Sequence, residues 1–484
     1  MARKAGRKAA VKSVRKTAKK AATKSVKKDF GHAEHSRKAD ELGIVEGVQR
    51  PLKIVFLGAG SMFFQKLFVD VLNIPGADRG EMAIVDIDTK RLKLAKRLGY
   101  KVLERMGKGG WTLTASTDRR KVLRGAHYII NCIEVSGVET VRFDNDIPLK
   151  YGVDQCIGDT GGPGGLFKAL RTVPVFLEVL KDVEALCPRA WVLNYTNPMS
   201  IMCLAAARAS SANVIGLCHS VQGAARALAN IAGVPYEQVK WKCAGVNHLA
   251  WVTELTRDGE DIYPLVFKKV RSDPATYDLT PIRFDMMLHF GYFVTESAGH
   301  FSEYVPYYRK RPDLIQKYCR ERYKGESGFY SRNWPTWRKN CDEHRRKQIA
   351  GAEEISAERT WEYASYIIQA METNAPFVIH ATVPNTGLID NLPSDGVVEV
   401  ACVVNRHGIA PTHYGKLPPH CAALCDWNMR MYDLAATACI EKSREAAAFA
   451  LMLDPLTAAC CCPAEIKQMT EELFEAEKDF LPGF

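Results

Sequence analysis

Two side chains of this sequence could share a metal ion. Cys218 lies in Leu217-Cys218-His219-Ser220 and His248 in Val246-Asn247-His248. A thiolate and an imidazole suit a divalent transition ion, and an incomplete protein shell leaves positions for substrate hydroxyls. They lie 30 residues apart, a separation with no spacing signature, so a buried cysteine and a satisfied histidine form the competing reading. Asp159 opens Asp159-Thr160-Gly161-Gly162-Pro163-Gly164-Gly165, where glycines would let backbone approach a ligand and the carboxylate would act as acid, base or metal-facing group. A plain turn is the alternative. Arg171 lies in the helix expected to open near Leu166 and would face the same ligand. Asn197, fixed before Pro198, offers an amide to a hydroxyl group, or else a helix N-cap. Glu296, His300 and Glu303 fall in the aromatic stretch from Gly291 to Tyr304. Each is a candidate base or a satisfied polar group.

These residues need a frame, and the frame starts at KIVFLGAGSMFF, Lys53 to Phe64. An apolar run ends in Gly58-Ala59-Gly60-Ser61 and a helix-like run follows. This is the strand, tight turn and helix start of a dinucleotide-binding unit, with free N–H groups and a positive dipole end aimed at a pyrophosphate. Gly58, Gly60 and Ser61 are the expected turn contacts. Asp86, after Met82-Ala83-Ile84-Val85, would accept from a ribose 2′-hydroxyl and repel a 2′-phosphate, which selects NAD over NADP. The third glycine position is occupied by Phe63, so the fingerprint is partial.

Strands are expected at 53–57, 82–85, 127–132, 190–194 and 213–217, with helices at 61–72, 89–105, 166–186 and 198–209. The fold class is α/β: a Rossmann-like doubly wound parallel sheet followed by an α+β C-terminal domain. The expected division is 1–45 as a basic disordered tail, 51–242 as the NAD-binding domain and 243–484 as a C-terminal catalytic and oligomerisation domain. In such sheets ligands bind beyond the carboxyl ends of the strands. Gly58, Asp86, Asn197, Cys218 and His248 all fall at that expected rim.

Composition limits the partners. Residues 1–28 hold 12 Lys/Arg and no acid; the rest of the chain has 54 basic against 55 acidic residues. The net charge of +11 therefore belongs to the tail. That tail is too poor in large apolar groups to order itself, and weak polyanion binding through lysine–phosphate contacts is its functional reading. No apolar run reaches the roughly 20 residues of a membrane span, and no signal-peptide core stands near the start. The fifteen cysteines are scattered through apolar segments without zinc spacing. They read as buried hydrophobes in a reducing, cytoplasmic setting.

From about residue 51 onward the chain resembles glycoside hydrolase family four, the NAD- and manganese-dependent glycosidases. The motifs that carry the resemblance are GAGSMFF, MAIVDID, IGDTGGPGG, NYTNPMS, GLCHSVQG, GVNHLAW and DNLPSDGVVEVACVV. The tetrad Cys218-His219-Ser220-Val221 is similar to the α-galactosidase branch. The resemblance implies Cys218 and His248 as manganese ligands and Asn197 as a substrate contact. It leaves the proton donor between Asp159 and His219, and the base between Glu296 and His300. It also implies a homodimer or homotetramer acting on a small sugar. The implied route oxidises the sugar at C3 with NAD, removes the C2 proton, eliminates the leaving alcohol, adds water and returns the hydride. This sets the family apart from two-carboxylate glycosidases. An α-galacturonidase or α-glucosidase of the same family stays open. So does an NAD-dependent 2-hydroxy-acid dehydrogenase, which shares the first domain but needs no metal thiolate.

Overall fold

The computed structural model describes residues 43–484. The basic segment read as a tail lies outside them, apart from its last residues. Glu46–Phe484 form one compact unit.

Its first half is the expected doubly wound sheet. Strands β1 (Leu52–Leu57), β2 (Arg79–Val85), β3 (Gly110–Ser116), β4 (Tyr128–Asn131), β5 (Trp191–Asn194) and β6 (Asn213–Leu217) lie in the order β3-β2-β1-β4-β5-β6. Every pair among them is parallel. Strands covered on both faces read as nearly continuous apolar runs. LKIVFL of β1 and YIIN of β4 do so, with Ile54, Val55, Phe56, Ile129 and Ile130 fully buried.

The expected strand list omitted β3. Its sequence, GWTLTAS, buries Trp111 and Leu113 while Gly110 and Thr112 are exposed. This is the half-buried pattern of an edge strand, not of a central one. Helix α1 (Phe63–Leu72) follows the glycine turn and α2 (Thr89–Met106) follows Asp86. Asp88 caps α2 by accepting from the N–H groups of Lys90 and Arg91, and Gly107, at φ 65°, ends it.

Helix α3 (Gly162–Leu186) opens four residues earlier than the sequence suggested. The run Gly162–Gly165 is its first turn. A Cβ on Gly164 would sit 2.3 Å from the Gly158 carbonyl oxygen, and one on Gly165 would sit 2.3 Å from the Thr160 carbonyl carbon. At these two positions glycine serves the packing of the helix start against its own preceding loop.

The C-terminal half adds strands to the same sheet. β7 (Val239–Val246), β8 (Leu249–Arg257), β9 (Glu260–Asp261), β10 (Phe293–Val294), β11 (Phe377–Pro384), β12 (Val397–Asn405) and β13 (Gly408–Pro411) are all antiparallel to their neighbours. Beyond β6 the order continues β11-β12-β7-β8-β10. Asn247–His248 is therefore the turn of the β7–β8 hairpin, not the exit of a parallel strand. Helices α4 (Met199–Ala209), α5 (Ser220–Ala232), α6 (Phe329–Ile349) and α7 (Pro419–Glu441) complete the frame used below. No helix among the described residues is long and apolar enough to cross a membrane. All fifteen cysteines are free thiols, ten of them buried.

The turn after β1 has no room for a side chain. Gly58 has φ 82°, and a Cβ there would lie 2.3 Å from the Cys132 carbonyl oxygen. Gly107 also has positive φ, but a Cβ there meets nothing within 4 Å. Gly58→Ala is expected to cost about 2 kcal/mol or more, against about 1 kcal/mol for Gly107→Ala. Urea unfolding midpoints of the two variants check this, and equal losses would contradict the close-approach argument.

Candidate active site

A cavity of about 960 Å³ runs along the carboxyl ends of the parallel strands. Gly58, Ser61 and Asp86 line one part of it, and Asp159, Lys168 and Asn197 another. Asp86 accepts from the N–H of Gly60 at 2.6 Å and from that of Asp88 at 2.9 Å. A carboxylate has about four lone-pair sites, so acceptor capacity remains for a ribose hydroxyl. Arg345 of α6, almost wholly buried, donates to the carbonyl oxygens of Gly60 and Ser61. That grip from a distant helix has no signature in the sequence. A glycine cradle without space for Cβ, free helix N–H groups and an acid after β2 fit a dinucleotide.

The structure brings Cys218, His248 and Glu296 together. One donor atom from each lies within 4.8 Å of the other two. Cys218 leaves the end of β6 and donates to Ser220 Oγ at 3.3 Å. His248 and Glu296 both hold left-handed backbone, at φ 66° and 72°. Strain of this kind persists where the surroundings over-determine it. Here β10 pairs with β8, and Thr295 exchanges hydrogen bonds with the backbone of Ala250. The Tyr304 hydroxyl lies 3.1 Å from His248 Nδ1, which leaves Nε2 facing Glu296 Oε2 at 3.4 Å. A sulfur, an imidazole and a carboxylate, with the imidazole oriented through its second nitrogen, fit a divalent transition ion. Glu296 enters this donor set beside the pair expected from sequence.

A chain of charge links the donor set to the cavity. His300 Nδ1 lies 3.1 Å from Glu296 Oε1, and its Nε2 lies 3.0 Å from Asp159 Oδ1. Burial alone would lower the imidazole, but hydrogen bonds to Asp159 and Glu296 and their charges outweigh it and raise it to about 10. Burial opposes the ionised forms of both carboxylates as well. The charges of Lys168 and His300 nevertheless hold Asp159 well below its usual range, and His248 and His300 do the same for Glu296. His248 is instead lowered to about 4, because its burial exceeds the support from Glu296. Burial pushes the Cys218 thiol up, and the charge of Glu296 adds to this. A cation would have to displace that thiol proton.

Asn197 donates from Nδ2 to Asp159 Oδ2 at 3.2 Å, so the two expected residues meet. The asparagines ending β4 and β5 hold the loop before Asn197: Asn131 donates to Asn194, whose side chain bonds both backbone groups of Thr196. Glu303 holds the loop before Asp159 by accepting from the N–H groups of Cys156, Ile157 and Gly158.

Arg171 does not face the ligand cavity. It is buried, bidentate to Asp144 at 3.0 and 2.7 Å and paired with Glu477, so its donors serve the packing of α3 against the C-terminal region. One turn earlier, Lys168 takes the place expected of it, 3.1 Å from Glu134 and 3.7 Å from Asp159. Its place one turn nearer the loop that carries Asp159 was the signal that could have found it. His219 stands outside the charge chain, half-exposed, 3.6 Å from Glu362.

Glu399 was not singled out from sequence. It lies on β12 opposite Thr382 and Gly245, fully buried, and neither carboxylate oxygen has a hydrogen-bond partner. The Asn247 amide lies beside it without good hydrogen-bond geometry and is itself unpaired. Burial raises the Glu399 carboxyl to about 8.

Residues 53–234 match the family model described as "Family 4 glycosyl hydrolase", and residues 243–457 match "Family 4 glycosyl hydrolase C-terminal domain". The chain is similar to an α-galactosidase of Bacillus subtilis (strain 168), 39% identical over 89% of this chain and 99% of that protein. It is also similar to an α-galactosidase of Rhizobium meliloti (strain 1021), 36% identical over 89% of each chain. Among solved structures, it shares its fold with the 6-phospho-β-glucosidase of Thermotoga maritima with manganese, NAD⁺ and glucose-6-phosphate. That match has a TM-score of 0.72 and 23% identity, and covers 89% of this chain and 99% of that one.

Glu399 supplies a pH test on the metal-free protein. Its folded carboxyl keeps its proton to about pH 8, whereas the ordinary value is 4.5. The unfolded chain thus binds fewer protons between these values, and this group's contribution to stability falls as pH rises through the window. Glu399→Gln is expected to gain stability over the original chain by more at pH 8 than at pH 5, read as urea midpoints. An equal offset at both pH values would contradict it.

Proposed function

The chain belongs to the family 4 glycosyl hydrolases, and on that premise we propose that it is an α-galactosidase acting on small, melibiose-like α-galactosides with NAD and a divalent metal such as Mn²⁺. The observation that carries the reading is the convergence of Cys218, His248 and Glu296, joined through His300 to a cavity that begins at a dinucleotide turn. A simple dehydrogenase has no use for that donor set. Both relatives described above, at 39% and 36% identity, carry the α-galactosidase name. Lys168, the cation beside Asp159, is already engaged by Glu134 and Asp159, which favours a neutral sugar over a uronate.

Gly58, Gly60, Ser61 and Asp86 would hold the dinucleotide; Cys218 and His248, with Glu296, would hold the metal. When bound, the two groups supply reversible oxidation of a sugar alcohol and Lewis-acid polarisation of its oxygens. The remaining work falls to the chain. Asn197 orients a hydroxyl through its amide. Glu296, His300 and Asp159 form a path for one proton, taken up at the Glu296 end and delivered from Asp159 Oδ1 to the leaving oxygen. His300 carries it between its two ring nitrogens' partners. Family membership also leads us to propose residues 51–242 as the cofactor domain and 243–484 as the catalytic and oligomerisation domain of a cytoplasmic homodimer or homotetramer. Residues 1–45 would contact polyanions.

A panel of p-nitrophenyl glycosides, run with and without NAD, Mn²⁺ and a thiol reductant, tests the reading. The α-galactoside is expected to be cleaved only with all three, without build-up of NADH. Cys218→Ser is expected to lower turnover by about 100-fold or more with an unchanged circular dichroism spectrum. Full activity in that variant, or in protein stripped of cofactor and metal, would overturn it.

A further inference from the structure

Beside the donor set stands an aromatic surface that the chemistry above does not use. Trp361 is 41% exposed, well outside the usual place of so large a ring. It is nevertheless held firmly. Thr360 donates its N–H and its hydroxyl to the two carboxylate oxygens of Asp70, both at 2.6 Å. Glu362, buried, pairs with Lys66 at 2.7 Å. Both partners lie on α1, the helix that follows the dinucleotide turn. From the other side, Gln222 of α5 donates to the Trp361 carbonyl oxygen at 3.2 Å, and the Arg226 guanidinium lies 5.6 Å from the ring centroid. The His219 ring, half-exposed, is 5.8 Å from the same centroid at 40°. His219 directly follows Cys218.

We propose that Trp361 and His219 form the subsite for the leaving group, and that the group they take is a neutral pyranose ring. The inference rests on the α-galactosidase reading and adds to it the chemistry of the departing alcohol. One face of a pyranose presents C–H groups, whose slight positive charge and area suit the negative face of an indole. The imidazole beside it offers a donor or an acceptor to a ring hydroxyl. The location suits this occupant: the loop spans from α1 to the residue next to Cys218, so it borders the place where the first sugar must sit. It does not suit the cofactor, because neither ring lines the dinucleotide cavity. It does not suit a phosphorylated sugar either. Arg226, the cation at the platform, is spread over two rings, Trp361 and Tyr236, the latter at 4.9 Å. Clamping 360–362 in advance spares the ordering cost on binding.

The test is the ratio of kcat/KM for melibiose, whose leaving group is glucose, to that for methyl α-galactoside, whose leaving group fills no sugar subsite. Trp361→Ala in the holoenzyme is expected to lower this ratio about tenfold, mainly through KM for the disaccharide, and Trp361→Phe to restore most of it. His219→Ala is expected to lower it about threefold. Should Trp361→Ala fail to fold, Trp361→Leu against Trp361→Phe answers the same question. An unchanged ratio, including equal losses on both substrates from a merely structural role, would overturn the subsite. Failure of the galactoside reading looks different: the original chain would cleave neither compound but would cleave the methyl and disaccharide forms of an α-glucoside or α-galacturonide. The platform is then judged on that pair, and cleavage of none of them overturns both proposals.

Discussion

The site depends on one imidazole held between two carboxylates. Asp159 comes from the loop before α3, Glu296 from the segment after β10, and His300 bonds both. The first belongs to the parallel half of the sheet and the second to its antiparallel extension. Without a charged His300, two part-buried carboxylates would face each other's field with little to offset desolvation. With it, the cavity beside the glycine turn and the Cys218–His248–Glu296 cluster become parts of one electrostatic unit. The supporting bonds follow from that need. Glu303 secures the Asp159 loop through three backbone N–H groups, and Thr295 fixes the strand that presents Glu296.

The same unit shows where stability is given up. His248 and Glu296 adopt left-handed backbone without being glycine, and Glu399 buries a carboxyl group with no hydrogen bond. Each is unfavourable for folding alone. The apolar strands β1, β4 and β5 supply the surplus that tolerates them. Arg171 represents the opposite case: a buried cation paired with Asp144 and Glu477, away from the cavity, which serves architecture alone.

Much of the parallel half was legible because its signals are local. A continuous apolar run, a glycine turn and an acid after the next strand specify β1, α1 and β2 within 35 residues, Leu52 to Asp86. β3 escaped because an edge strand buries only alternate residues. Cys218 and His248 were readable as side chains of the right chemistry, but their meeting is a property of the β7–β8 hairpin and its distant partners. Lys168 meets Asp159 in place of Arg171 because α3 starts at Gly162, so Lys168 lies one turn nearer the loop that carries Asp159. Arg345 and Glu399 gave no local signal at all: one reaches the glycine turn from a helix 285 residues away, and the other looks like any strand glutamate.

On the proposed reading, a proton leaves the sugar's C2 and travels along the Glu296–His300–Asp159 chain while the glycosidic bond opens. Hydrolysis of melibiose by the holoenzyme in D₂O, with the released galactose read by NMR, tests it most directly. Deuterium at C2 is the predicted result. Galactose that keeps its original hydrogen at C2 through complete turnover would contradict the account.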